Sequence, residues 1–192
     1  MALRAFLHRF HTMVDWFSRR PEDEARPTRG NGRPSVSELT EHLLVGEYPR
    51  RVDIPWLKDE HRVTAVHNLQ DDVDLRINGV EIAELREVCD HYGVKLVHTP
   101  IHDGSADDML ERLPAALAAL EALLRREERV YLHCNAGLNR APTLAIAYLR
   151  ANCGLSLNEA LAHVKKRRAC GPFMTVLEEH FGPRDLKPEV GK

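Results

Sequence analysis

The stretch HCNAGLNR, residues 133 to 140, puts a cysteine six residues ahead of an arginine with a glycine midway, and leads straight into an apolar segment of helical spacing. Unpaired backbone N–H groups where a loop enters a helix form a cradle for a tetrahedral anion, and the helix dipole adds partial positive charge. Residues Asn135, Ala136, Gly137, Leu138, Asn139 and Arg140 would line that cradle, with Gly137 loosening the loop and phosphate the expected occupant. Arg140 can give two parallel charge-assisted hydrogen bonds to phosphate oxygens, which a lysine cannot. The same field favours the thiolate of Cys134, because helix N-termini and nearby cations lower cysteine pKa values. An ionised Cys134 needs no separate base; attack on phosphorus would give a phosphocysteine for water to hydrolyse. The leaving oxygen still needs a proton, and Asp103 in PIHDGSADD is the candidate acid, with Gly104 freeing its loop to close and Asp107 in reserve.

These residues need elements to position them. HLLVGEYP, RVTAVHNLQ, VKLVHTPI and RVYLHC read as strands, and VEIAELREVCDHYG as a helix ended by Gly93. DDMLERLPAALAALEALLRRE reads as a helix that Pro114 should kink or divide. After Cys134 the chain reads as all-helical, with Ser156 and Glu159 forming a capping box. Strands separated by helices predict an α/β fold with a central, mostly parallel sheet flanked by helices. The cysteine loop then lies at the carboxyl end of a central strand, where such sheets meet ligands.

Composition sets the limits. At 192 residues and 43 per cent apolar content the chain can build one core. With 27 basic and 29 acidic residues there is no field to favour nucleic acid as a partner. The four cysteines lack C-x-x-C spacing, so neither zinc nor a disulfide framework is signalled; a reducing, cytoplasmic setting is expected, and no cofactor or metal. Four regions are expected: an amphipathic helix over 1–18, a flexible linker over 19–35, a catalytic domain over 36–182 and a tail over 183–192. The 1–18 helix has two readings, docking on the domain or on a second copy, and peripheral contact with an anionic membrane or a targeting role. The basic run Lys165, Lys166, Arg167 and Arg168 is read as solvated charge closing a helix, or as an attractor of polyanionic substrate.

With Asp103, HCNAGLNR and the helical C-terminal half placed, the chain resembles the dual-specificity branch of the cysteine-based protein tyrosine phosphatases over residues 36 to 182. Within that branch AVHNLQDDVDL, NGVEI, ERLPAAL, CNAGLNRAP and HVKKRRAC are most similar to segments of the plant glucan phosphatases and, less closely, laforin. The resemblance implies the dual-specificity phosphatase fold and a metal-independent mechanism. It also implies Cys134 as nucleophile, Arg140 as phosphate ligand and Asp103 as acid, with His133 poising the thiol. Three features differ. Ala141 stands where most of the class has a hydroxyl, Asn139 stands where the glucan enzymes have glycine, and Arg76, Ile77 and Asn78 stand where those enzymes carry sugar-stacking aromatics. The expected substrate is a phosphorylated protein, a phosphorylated glucan or an inositol lipid. The alternatives are a catalytically weak phosphate-binding domain and a sulfur-transfer or arsenate-reducing thiol enzyme.

Overall fold

The computed structural model describes residues 32–188. The expectations for 1–18, for most of the 19–35 linker and for the end of the tail lie outside the described residues.

Five strands form one sheet: β1 (Val36–Glu38), β2 (Leu43–Gly46), β3 (Ala65–Asn68), β4 (Lys95–His98) and β5 (Val130–His133), in the order β1-β2-β5-β3-β4. Only the β1–β2 pair is antiparallel; β2 with β5, β5 with β3, and β3 with β4 are parallel. The expected mostly parallel α/β sheet is what the structure has. Alternation along the strands sends side chains to two cores. Val45, Ala65, Val130 and Leu132 face one cluster, while Leu44, Val66 and Tyr131 face the other.

Among the described residues seven α-helices flank the sheet: α1 (Ile54–His61), α2 (Asp72–Ile77), α3 (Ile82–His91), α4 (Ala106–Leu124), α5 (Arg140–Asn152), α6 (Leu157–Lys165) and α7 (Met174–Phe181). The last three follow β5, as the pattern predicts. Gly93 ends α3 with φ +65°, and Ser156 and Glu159 cap α6 reciprocally at 3.2 and 2.8 Å. Pro114 does not divide α4, which runs unbroken for 19 residues. Proline removes one ladder donor, but Pro114 sits on the exposed side, while Met109, Leu113, Leu117 and Leu120 are buried. Each such side chain contributes roughly 1.5–3 kcal/mol, enough together to offset one lost bond.

Register sets the site. Gly46, Asn68 and His133 pair across the sheet, and Asn68 also pairs with His98, so the parallel strands end together. The loops that leave those ends carry Cys134 and Asp103. Among the described residues no helix is long and apolar enough to cross a membrane.

Candidate active site

Residues 134–139 link β5 to α5, and the path of their backbone is the main feature of the site. All six carbonyls from Cys134 to Asn139 are taken. The Cys134 oxygen accepts from His133 Nδ1 at 3.0 Å and the Asn135 oxygen from Tyr48 N at 2.8 Å. Ala136 and Gly137 oxygens accept from Arg168 Nη2 and Nε at 2.8 and 2.6 Å. The Leu138 oxygen accepts from Gly171 N at 2.9 Å, and that of Asn139 from Thr143 N and Oγ1 at 2.9 and 2.7 Å. In a trans peptide the C=O and the following N–H point opposite ways. Tying six carbonyls to the surrounding framework therefore turns the N–H groups of residues 135–140 to the other side. Among the described residues none of those six amides donates a hydrogen bond. Amides left unpaired at a partly enclosed loop cost free energy, and an oxyanion is the ligand that would satisfy them.

Gly137 is required rather than merely permissive. Its φ is +65°, and a Cβ there would meet Gly46 O at 2.4 Å and Arg168 Nη2 at 2.5 Å. The loop is thus pressed against β2 and cannot be called loose.

Cys134 is 3% exposed and Arg140 wholly buried. Arg140 Nη1 donates to Asp74 Oδ2 at 2.5 Å, to Ile101 O at 2.8 Å and to Leu69 O at 3.4 Å. Its Nε has no hydrogen-bond partner, and Nη2 lies 2.9 Å from Asp103 Oδ1, an ion-pair distance without hydrogen-bond alignment. One edge of the fork is anchored and the other is free for a second, planar acceptor. Burial works against the Arg140 charge, but Cys134, Asp74 and Asp103 hold the guanidinium above its ordinary value.

Asp74 is a residue the sequence reading passed over. It lies in α2, a six-residue helix that periodicity does not reveal, and forms a capping box with Asp71. Asp71 Oδ1 accepts from Asp74 N at 2.8 Å, and Asp74 Oδ2 accepts from Asp71 N at 3.3 Å. The Asp74 carboxylate also receives Asn135 Nδ2, and Asn135 Oδ1 accepts from Gln70 Nε2 at 2.7 Å and Asn78 Nδ2 at 3.0 Å. The Asn135 side chain is therefore a brace behind the loop. The only sequence signal for Asp74 was the D-x-x-D spacing in LQDDVDL.

Asp103 is 52% exposed at the side chain, in the turn between β4 and α4, where Gly104 has φ +74°. The turn is pinned by its neighbours. His102 N donates to Asp108 Oδ2 at 2.6 Å, and His102 Nδ1 bonds Asp71 Oδ2 at the same distance. Ser105 caps α4 through Asp108 N at 3.1 Å, while Asp107 lines the open depression beside Asp103.

His133 does not touch the sulfur in any recorded bond; its Nδ1–H is spent on the Cys134 carbonyl. Burial drives its pKa down to about 3, against the opposing effect of that bond, so the ring is neutral near pH 7. The remaining thiols lie outside the loop. Burial pushes Cys89 and Cys153 up to about 12 and raises Cys170. The basic run also departs from expectation. Lys165 and Lys166 are exposed, but the chain turns inward after α6, and Arg167 and Arg168 are buried.

Fold and loop together are those of the cysteine-based protein tyrosine phosphatase class. The family profile described as dual specificity phosphatase, catalytic domain, matches residues 43–178. The chain belongs to the dual-specificity phosphatase family. It is 28% identical over 136 residues to the chloroplastic phosphoglucan phosphatase LSF1 of Arabidopsis thaliana, covering 71% of this chain and 23% of that protein. With laforin of Mus musculus it shares 27% over 131 residues, 62% of this chain and 40% of laforin. The match thus spans less than half the length of either relative. Among solved structures, the active form of Tk-PTP superposes with TM-score 0.64 at 28% identity, over 75% of this chain and 94% of that one.

Proposed function

We propose that this chain hydrolyses phosphate monoesters through a phosphocysteine. The sulfur of Cys134 attacks phosphorus in line, the P–O bond to the leaving group breaks, and Asp103 passes its proton to the departing oxygen. Water then attacks the S–P bond, releasing phosphate and restoring the thiolate, with Asp103 taking the water's proton. The N–H groups of residues 135–140 and the free edge of Arg140 hold the three non-bridging oxygens. That donor set is fixed before substrate arrives, so it costs little reorganisation at the transition state. The observation that carries this reading is the loop with every carbonyl from Cys134 to Asn139 engaged and every amide from 135 to 140 unspent.

A bound dianion competes with Asp103 for Arg140 Nη2. His133 acts here by fixing the Cys134 carbonyl, and so the first peptide of the cradle.

The protein hydrolysing p-nitrophenyl phosphate in EDTA, and losing all turnover as Cys134→Ser, is the expected result. Metal-dependent activity, or a Cys134→Ser protein as active as the parent, overturns the reading. For the substrate we propose a phosphoprotein or a phosphoglucan. Likeness to relatives named phosphoglucan phosphatases supports the glucan. The α2 segment supports protein, since Asn78 is spent on Asn135 and Asp74 and the exposed neighbours are Asp72, Val73, Arg76 and Ile77 rather than rings. Phosphate release measured in parallel on solubilised starch or glycogen, phosphopeptides and inositol lipids decides between them. A second reading, a phosphate-capturing domain without turnover, draws on Ala141, which is buried and has no hydroxyl to assist the thiolate as it leaves. Stoichiometric phosphate binding with no turnover at any pH would favour it.

A further inference from the structure

Arg168 is fully buried, yet no carboxylate among the described residues lies within ion-pair distance of it. Its five recorded bonds all go to neutral oxygens. Nε and Nη2 hold Gly137 O and Ala136 O at 2.6 and 2.8 Å. Nη1 reaches Val45 O and Ser37 Oγ, each at 3.4 Å, and Nη2 reaches Ser35 Oγ at 3.2 Å. The guanidinium thus joins the β1–β2 hairpin to the middle of the Cys134 loop from behind. Burying a charge with no carboxylate in contact is costly, and the buried Glu47 nearby eases that cost without pairing with it, so a negative group at the loop would be favoured by this guanidinium.

We propose that Arg168 is a positioning residue for the reaction. It holds the Ala136 and Gly137 peptides with the following N–H groups turned into the cradle, and lends Cys134 a second positive charge from the side opposite Arg140. This rests on the reading of Cys134 as nucleophile. Two features besides the bonds support it. The Gly137 backbone has no room for a Cβ because Arg168 Nη2 would lie 2.5 Å from it, so loop and guanidinium are built to touch. Cys134 also lies near enough for the two charges to interact: burial lowers the Arg168 pKa, and Tyr131, Cys134, Glu47 and Cys170 oppose that fall.

The other groups around the sulfur do not supply this role. From β5, His133 is kept neutral by burial; from α5, Arg140 is shared with Asp74 of α2 and Asp103 of the acid turn. At the end of β2, the buried Glu47 carboxylate accepts Ser35 N at 3.0 Å and stands off Arg168 without pairing with it. Arg140 therefore faces the anion with two carboxylates at its side, and Arg168 contributes charge that no carboxylate shares at contact distance.

The test reads alkylation of Cys134 by iodoacetamide at pH 6 and pH 8.5, with background from the other cysteines removed using the Cys134→Ser protein, together with inhibition by orthovanadate. An ordinary thiol slows by about a hundredfold between these pH values; such slowing in the parent protein would overturn the nucleophile reading itself. If the parent stays fast at pH 6, Arg168→Met is expected to slow alkylation there by about tenfold and weaken vanadate by tenfold or more. Arg168→Lys keeps the charge but not the two-carbonyl grip, so it should retain rapid alkylation at pH 6 and still lose vanadate affinity. A purely structural arginine would shift only the Tm. A folded Arg168→Met protein with parental alkylation and vanadate inhibition overturns the proposal. Should that variant fail to fold, parental vanadate affinity in Arg168→Lys does so instead.

Discussion

The two loops that meet at Arg140 are held in opposite ways. The Cys134 loop has its ends and centre buried at Cys134, Gly137 and Arg140, every carbonyl from 134 to 139 in it is bonded to the surrounding framework, and its central glycine has no spare volume. The Asp103 turn is exposed and rests on a few side-chain contacts, His102 with Asp71, His102 N with Asp108 and Asp103 with Arg140. Binding a tetrahedral anion rewards donors that do not move, because any reorganisation subtracts from affinity. Delivering a proton to a leaving group of variable shape, then turning to accept one from water, rewards a group that can move. The contrast predicts that damage to the first loop appears in binding and stability, and damage to the second in the pH profile and kcat.

The largest effect expected from the second loop is that of Asp103→Ala. Its kcat should fall by about 10²- to 10⁴-fold, with the alkaline limb of the pH–rate profile lost. The fall should be larger for an alkyl phosphate than for p-nitrophenyl phosphate, whose leaving group is already stable as an anion. The Tm should hardly change, since a half-exposed carboxylate contributes little through an ion pair. A retained alkaline limb would move the acid to Asp107 and break the assignment of roles between the loops.

Asp74→Asn probes the clamped side. Breaking a buried ion pair by removing one partner costs about 3–5 kcal/mol; asparagine, which keeps the shape and one acceptor, should cost less but still lower the Tm. KM should rise about tenfold while the alkaline limb stays where it was. A tighter KM would show that Asp74 matters by drawing charge off Arg140 rather than by aiming it.

The four parallel strands, the long helices and the Cys134–Arg140 loop were legible because each announces itself within a few consecutive residues, whereas the three-residue edge strand β1 was too short to show an alternation. Val130 to Leu132 is unbroken apolar sequence before a glycine-bearing loop, and Ser156 with Glu159 marks a helix start at fixed spacing. What escaped were the partners that act at a distance. Asp74 lies more than 60 residues from Arg140 and belongs to a helix too short to show a period. Arg168 looked like one of four solvated cations, and only the inward turn of the chain after Lys166 separates it from them. Pro114 misled for the complementary reason: a local rule predicted a break, and a buried apolar stripe spanning the whole of α4 outweighed it. Sequence showed which groups could react; the supports that fix their direction come from non-local packing.

Mild acid should strain the clamped region through its buried histidines. Burial holds His133 and His67 at about 3 and His163 at about 4, against an ordinary 6.5. With folded values below unfolded ones, the unfolded chain binds more protons between pH 6.5 and roughly 4, so stability rises with pH across that window and is lost as pH falls through it. Each histidine can cost on the order of 1 kcal/mol per pH unit there. The Tm should drop steadily from pH 6.5 to 4.5, with proton uptake on unfolding visible by calorimetry in buffers of different ionisation enthalpy. A flat Tm over that range would mean that these buried imidazoles gain water or protons without unfolding, and that the packing around them is softer than its bonds suggest.

The smallest effect should come from Asn139→Gly. Asn139 Nδ2 donates to Gly171 O at 2.7 Å from the exposed side of the loop, beside the Leu138 O bond from Gly171 N. One neutral hydrogen bond contributes about 1 kcal/mol, and glycine adds backbone freedom costing about 0.5–1 kcal/mol. Part of that loss falls on stability, because the Leu138 carbonyl remains tied to the same segment. Vanadate affinity should therefore weaken by less than about fivefold, with kcat unchanged. A loss comparable to that of Asp74→Asn would mean that the cradle hangs on a single surface latch rather than on distributed support, and the rigid half of the comparison would fail. An affinity equal to the parent's would sharpen it, since the buried bonds to Tyr48, Arg168 and Thr143 would then suffice to hold the amides in place.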